Sequence, residues 1–106
     1  MQEEIRIRKL KSMLGIAAKA GKVESGGFCS ENCIKSGKAF LVICAENASD
    51  RTKKTFRDMC AFRNVTYREV FDKDTLGHVI GKEERTSVAV KDEKIAAVIL
   101  SLIDVQ

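Results

Sequence analysis

Two cysteines four residues apart, a glycine pair, an aromatic and three lysines fall within nineteen residues, "GKVESGGFCSENCIKSGKA", Gly21 to Ala39. Three chemistries could use that combination. Cys29 and Cys33 share one face of a helix and could both reach a metal ion. A structural zinc, however, takes about four ligands, commonly from paired cysteine hooks. There is no second hook, and the single histidine, His78, lies 45 residues beyond Cys33. The expectation is no metal and no cofactor, with both cysteines facing the core as small hydrophobes. A thiol nucleophile needs an adjacent base. Nothing in the sequence brings His78 to Cys29, and the adjacent acids Glu83 and Glu84 read as a solvated loop. No serine-elbow, zinc-protease or P-loop pattern occurs, so no catalysis is expected. The third chemistry is anion recognition. A Gly26-Gly27 pair opening a helix exposes backbone N–H groups at the positive end of the helix dipole. Lys19 and Lys22 arrive just before it, and Lys35 and Lys38 close the helix. Taken alone, the pair fits a plain strand-to-helix turn with solvated lysines equally well.

These residues must be carried by elements, and the pattern supplies them. A chain of 106 residues, 44% apolar and 32% charged, suits one domain spanning residues 1–106 with a single core. No apolar run approaches the roughly 20 residues of a membrane span. The charged start, "MQEEIRIRKLK", is unlike a secretory signal, so a soluble cytoplasmic protein with four free, buried thiols is expected. The net charge of +4 is unevenly spread: residues 1–38 hold eight Lys and Arg against four Asp and Glu, and the remaining 68 hold eleven of each. A basic first third suits a polyanionic partner.

Leu10, Met13, Leu14 and Ala17 mark a helix from about residue 4 to Ala20, with Arg8, Lys11, Ser12 and Lys19 on its outer face. An extended piece, Lys22 to Ser25, precedes a second helix from Phe28 to Lys35. Ala39 to Ala45 is an apolar run suited to a strand buried on both faces. Ser49 or Asp50 caps a third helix with a stripe of Phe56, Met59, Cys60 and Arg63. Val65 to Phe71 alternates as a strand. Asp72 caps a short helix, Thr86 to Val90 is a strand, and Asp92 caps a last helix with Ile95, Val98, Ile99 and Leu102 inward. Alternating strands and helices predict a three-layer α/β/α sandwich around a small, mixed sheet of about four strands.

The segments "MLGIAAKAGKVESGG", "IKSGKAFLVICAENAS" and "LGHVIGKEERTSVAV", with the terminal apolar helix, resemble in order and spacing the ribosomal protein L-seven-Ae/L-thirty-e superfamily. Its small, ribosomal-protein-like bacterial members are most similar, and the likeness runs over about residues 8–104. The resemblance implies an α/β/α sandwich and binding of kink-turn RNA through the turn at the second helix and the loop before the last strand. On this chain those are Gly26, Gly27, Phe28 and Cys29, with Lys35 and Lys38 flanking the helix, and Lys82, Glu83, Glu84 and Arg85. The chain departs from the pattern where the superfamily's Gly-Thr-Asn-Glu motif falls on Gly26-Gly27-Phe28-Cys29. Neither Phe28 nor Cys29 can bond a guanine edge as Asn and Glu would, and the superfamily's lysine three residues later is Asn32. Two lost polar contacts predict weakened kink-turn specificity, at about 1–3 kcal/mol each. An exposed Phe28 would stack on an unpaired base; an inward Phe28 would seat the second helix on the sheet.

The expected function is non-catalytic binding of structured RNA, ribosomal or otherwise kink-turn-like, with ribosome or ribonucleoprotein components as further partners. Arg8, Lys11, Lys19, Lys22, Lys35 and Lys38 would meet phosphates. The alternative is a protein–protein module on the same fold, attached to the translation machinery or an RNA enzyme.

Overall fold

The order of elements follows from caps and apolar stripes, and a computed structural model describes residues 2–105. They run α1 (Gln2–Lys19), β1 (Val23–Ser25), α2 (Gly27–Lys35), β2 (Leu41–Cys44), α3 (Asp50–Arg63), β3 (Thr66–Glu69), α4 (Lys73–Val79), β4 (Ser87–Val90) and α5 (Glu93–Ile103). Three helices start on side-chain caps of the expected kind. Ser49 Oγ accepts from the Thr52 amide at 3.1 Å, Asp72 Oδ1 from Thr75 at 2.7 Å and Asp92 Oδ1 from Ile95 at 2.9 Å.

The strands form one mixed sheet in the order β1-β4-β2-β3. β2 and β3 are parallel, and β4 runs antiparallel to both β1 and β2. All residues of the two central strands are buried, as the apolar runs predict. Strand alternation then sorts their side chains between two layers. Leu41, Ile43, Val88 and Val90 pack with Leu10 and Leu14 of α1, Leu76 of α4 and Ile99 of α5. Val42 and Ala89 pack with Cys33 and Ile34 of α2 and Phe56 and Cys60 of α3. The molecule is the α/β/α sandwich with a four-stranded mixed sheet that the sequence predicts.

Two stripes are corrected. In α5, Val98 is 44% exposed and Ala96 is buried in its stead. The inward face centres between Ile95, Ala96, Ile99 and Ile103, which leaves Val98 about a third of a turn outside it. In α3, Arg63 is exposed and its Nη1 donates to the Lys35 carbonyl at 3.1 Å, tying the C-terminal ends of α3 and α2 together. The strands are also shorter than the apolar runs around them, because ladder pairing stops before the apolar residues do.

α4 is held by two backbone contacts. A Cβ on Gly15 of α1 would stand 3.2 Å from the Val79 carbonyl oxygen. A Cβ on Gly77 would stand 1.7 Å from the Glu83 carbonyl oxygen, so only glycine lets the chain after α4 fold back against it.

Candidate functional site

At the junction of β1 and α2, Gly26 holds φ 90° and ψ 162°, a region open essentially to glycine alone. Its amide donates to the Ser87 carbonyl and its own carbonyl accepts from Ser30, each at 3.0 Å. The turn is therefore pinned to the start of β4 on one side and begins the helix on the other. No side chain among the described residues caps it, so the first amides of α2 point out of the helix end without an intrahelical partner. Beneath it the Ser87 hydroxyl donates to Ser30 Oγ at 3.0 Å, and both side chains are fully buried.

The chain after α4 supplies the facing wall. The Lys82 amide donates to Gly77 at 2.9 Å and the Arg85 amide to Lys73 at 3.1 Å, so the loop is folded onto α4 at both ends. Arg85 Nε donates to Ser25 Oγ at 3.1 Å and its Nη1 to the Glu84 carbonyl at 3.0 Å, which lays the guanidinium against the end of β1. Between the walls lies a cleft of about 400 Å³, with Gly26, Gly27, Phe28 and Cys29 on one side and Glu84, Arg85 and Thr86 on the other. Two segments some sixty residues apart thus meet, as the superfamily resemblance implies.

Phe28 is 76% exposed and does not seat α2 on the sheet; Ile34 and Cys33 do that. Cys29 is exposed, against the expectation that it faces the core. The reason is rotation: α2 buries Ser30, Cys33 and Ile34, and Cys29 lies about a quarter turn from the centre of that face. The thiols of Cys33, Cys44 and Cys60 are buried as expected, and burial pushes the Cys60 pKa up to about 11.

The lysines do not converge on the glycine turn. Lys35 and Lys38 lie at the far end of α2, roughly 12–14 Å along its axis. With Asn32, Cys29 and Cys33 they line a groove of about 520 Å³ that is closed by Glu24 and Lys91. Lys91 Nζ is paired with Glu24 Oε2 at 2.7 Å, and Lys35 reaches Glu31 at 3.6 Å. Lys19 and Lys82 line a third cleft, of about 550 Å³, with His78 and Gly81. Lys22 is exposed at the start of β1, where its carbonyl accepts from the Lys91 amide at 2.7 Å. Glu83 is exposed, and its carbonyl rather than its carboxylate is the part in contact, against Gly77. Arg8 and Lys11 sit together along α1 with Glu3 and Glu4, outside all three clefts. The clefts adjoin: Ser25 lines two of them and Cys29 lines two.

Sequence reasoning missed the supports: Ser30 with Ser87, Ser25 beneath Arg85, and Gly77. The Gly77-x-x-x-Gly81 spacing was the available signal for the last, and it marks a loop seat. Among the described residues no group of three or more His, Cys, Asp or Glu gathers to hold a metal, and no helix is long and apolar enough to cross a membrane.

A four-stranded mixed sheet between helical layers, with a glycine-opened helix and a return loop meeting at one end, defines a small α/β/α class. The chain belongs to the ribosomal protein L7Ae/L30e/S12e/Gadd45 family, whose model matches residues 8–100. It is 40% identical over 92 residues to the RNA-binding protein YlxQ of Bacillus subtilis strain 168, covering 87% of this chain and 92% of that one. The RNA-binding protein YlxQ of Enterococcus faecium is 31% identical over 78 residues, covering 74% and 76%. Among solved structures, a Bacillus halodurans protein of unknown function superposes with a TM-score of 0.89 at 33% identity, over 92% of this chain and 98% of that one. The Giardia lamblia 15.5kD RNA binding protein shares the fold, with a TM-score of 0.76 at 17% identity, over 97% and 86%.

Proposed function

We propose that this chain is a non-catalytic, cytoplasmic RNA-binding protein acting as one domain over residues 1–106. Its substrate class is structured, kink-turn-like RNA, ribosomal or belonging to another ribonucleoprotein. The observation that carries the reading is the cleft between the Gly26-Gly27 turn and the Glu84–Thr86 loop. Open helix-end amides and the Arg85 guanidinium there suit the acceptor groups of a sharply bent RNA. Phe28 and Cys29 offer no bidentate base-edge bond, so selectivity comes from shape and backbone contacts and is weaker than an Asn-Glu pair would give. Lys19 and Lys82 in the adjoining cleft, Asn32, Lys35 and Lys38 in the groove along α2, and Lys22 before β1 serve as phosphate and sugar contacts, with Glu83 on the loop.

The test is a fluorescence-anisotropy titration of a labelled kink-turn RNA and a matched plain duplex at two salt concentrations. A preference of about tenfold or more for the kink-turn, 1.4 kcal/mol, is expected. Equal, weak and salt-fragile binding of both would remove the kink-turn reading. The exposure of Phe28 beside uncharged Gly27 and Cys29 favours the second reading, a protein-docking module on the same fold. Absence of binding to either RNA would leave that reading standing alone.

A further inference from the structure

α3 turns its core stripe of Phe56 and Cys60 to the sheet, which points Phe62 the other way, and its ring is 83% exposed. No role in folding accounts for an aromatic so placed. Its surroundings are specific. The Arg63 guanidinium carbon stands 5.8 Å from the ring centroid, within cation–π range. The same guanidinium donates to the Lys35 carbonyl at 3.1 Å, so the end of α2 and its basic residues are held beside the ring. Lys35 and Lys38 are exposed there. Phe40, 43% exposed, lies at the same end of the sheet, one residue before Leu41, which pairs with Thr66 just after α3.

A protein-docking face is a contiguous apolar patch. Here Asp58 and Met59 lie one turn before Phe62 on its helix, Ala61 and Arg63 adjoin it, and the neighbouring element brings lysines rather than a continuous apolar surface. An exposed ring with cations beside it, and a second aromatic at the same end of the sheet, is the composition that stacks on nucleobases while the cations meet phosphates. We infer that Phe62, backed by Arg63, is a stacking seat for an unpaired base in a single-stranded segment flanking the structured RNA. Lys35 and Lys38 hold the phosphates of that segment. The inference rests on the RNA-binding reading above and adds a second contact at the opposite end of α2.

The chain has no tryptophan, so Phe62→Trp places a single reporter at the seat. The probes are a kink-turn RNA with blunt ends and the same RNA with a six-adenosine tail at its 5′ or its 3′ end. Tailed RNA is expected to quench the Phe62→Trp emission while blunt RNA leaves it unchanged. Phe62→Ala is expected to lose about tenfold in affinity for one of the tailed RNAs and nothing for the blunt one. Undiminished affinity of Phe62→Ala for both tailed RNAs overturns the seat, with or without quenching, and leaves the cleft reading intact. If that variant instead loses a cross-link to a protein component, the ring belongs to a protein contact and the seat is likewise overturned. Failure of the wild-type chain to bind any of the three RNAs removes the underlying reading, and the seat with it.

Discussion

The two ends of α2 are built on opposite principles. At its N-terminal end the helix offers geometry: a glycine in a conformation closed to other residues, uncapped amides, a buried serine pair and a facing loop pinned by hydrogen bonds. One guanidinium, already tethered to Ser25, is the main charge. At its C-terminal end the helix offers charge and one ring: Lys35, Lys38, Arg63 and Phe62, all exposed, beside a groove whose other side is the Glu24–Lys91 ion pair. The first end can discriminate shapes, because its donors are fixed before anything arrives. The second can attract and steer, because exposed cations act over about a Debye length and adapt to any phosphate track. On the proposed RNA-binding reading, affinity and selectivity are separable along a single nine-residue helix.

Gly77→Ala strikes the geometric end hardest. The added methyl meets the Glu83 carbonyl at 1.7 Å and must push the loop away. A loss of about 3 kcal/mol is expected, read as a melting temperature lower by about 12 °C or more. A shift under about 4 °C would mean that the loop yields and the cleft is soft. Lys22→Glu with Lys35→Glu strikes the charged end. RNA affinity should fall about 100-fold, and the dependence of log K on log salt should flatten by about two contacts, with the melting temperature nearly unchanged. An unaltered salt slope would place the phosphates elsewhere.

A smaller effect sharpens the anchoring of the glycine turn. Ser87→Ala leaves the Ser30 hydroxyl buried without its partner and should cost about 1–2 kcal/mol in a denaturant titration. The Ser30→Ala, Ser87→Ala double variant should recover much of it, and a double variant worse than the single would show that packing, not the hydrogen bond, holds the turn. The gentlest test asks whether RNA covers the face of α2 that carries Cys29. One thiol, Cys29, should react with a disulfide reagent in the folded protein, and the buried three only after unfolding. Bound RNA should slow Cys29 severalfold, because Cys29 lines both the cleft at the glycine turn and the groove with Lys35 and Lys38; an unprotected Cys29 in a complex would place the RNA outside both.

What could be learned from the residues alone divides by distance along the chain. The caps at Ser49, Asp72 and Asp92 and the glycine turn are local events, and their signals sit within three or four residues. The rotation of a helix is decided by the sheet it lands on, and there the reading slipped. Cys29 and Val98 lie just outside stripes whose centres only the packed core defines. The lysines around the turn look clustered in sequence, but a nine-residue helix carries its two ends apart, and Lys35 and Lys38 went with the far one. Ser30 and Ser87 are 57 residues apart and share one hydrogen bond, which no local pattern announces.

α4 meets α1 through Gly15 and the returning loop through Gly77, with a main-chain carbonyl as the opposing surface each time. At those two points the thickness of the spacer is set by peptide geometry. Substitutions at Lys82, Glu83 and Glu84 can therefore accumulate without moving the loop, while Arg85 also holds it through Ser25. A lineage could exchange the chemistry of that wall repeatedly while the width of the opening is inherited unchanged.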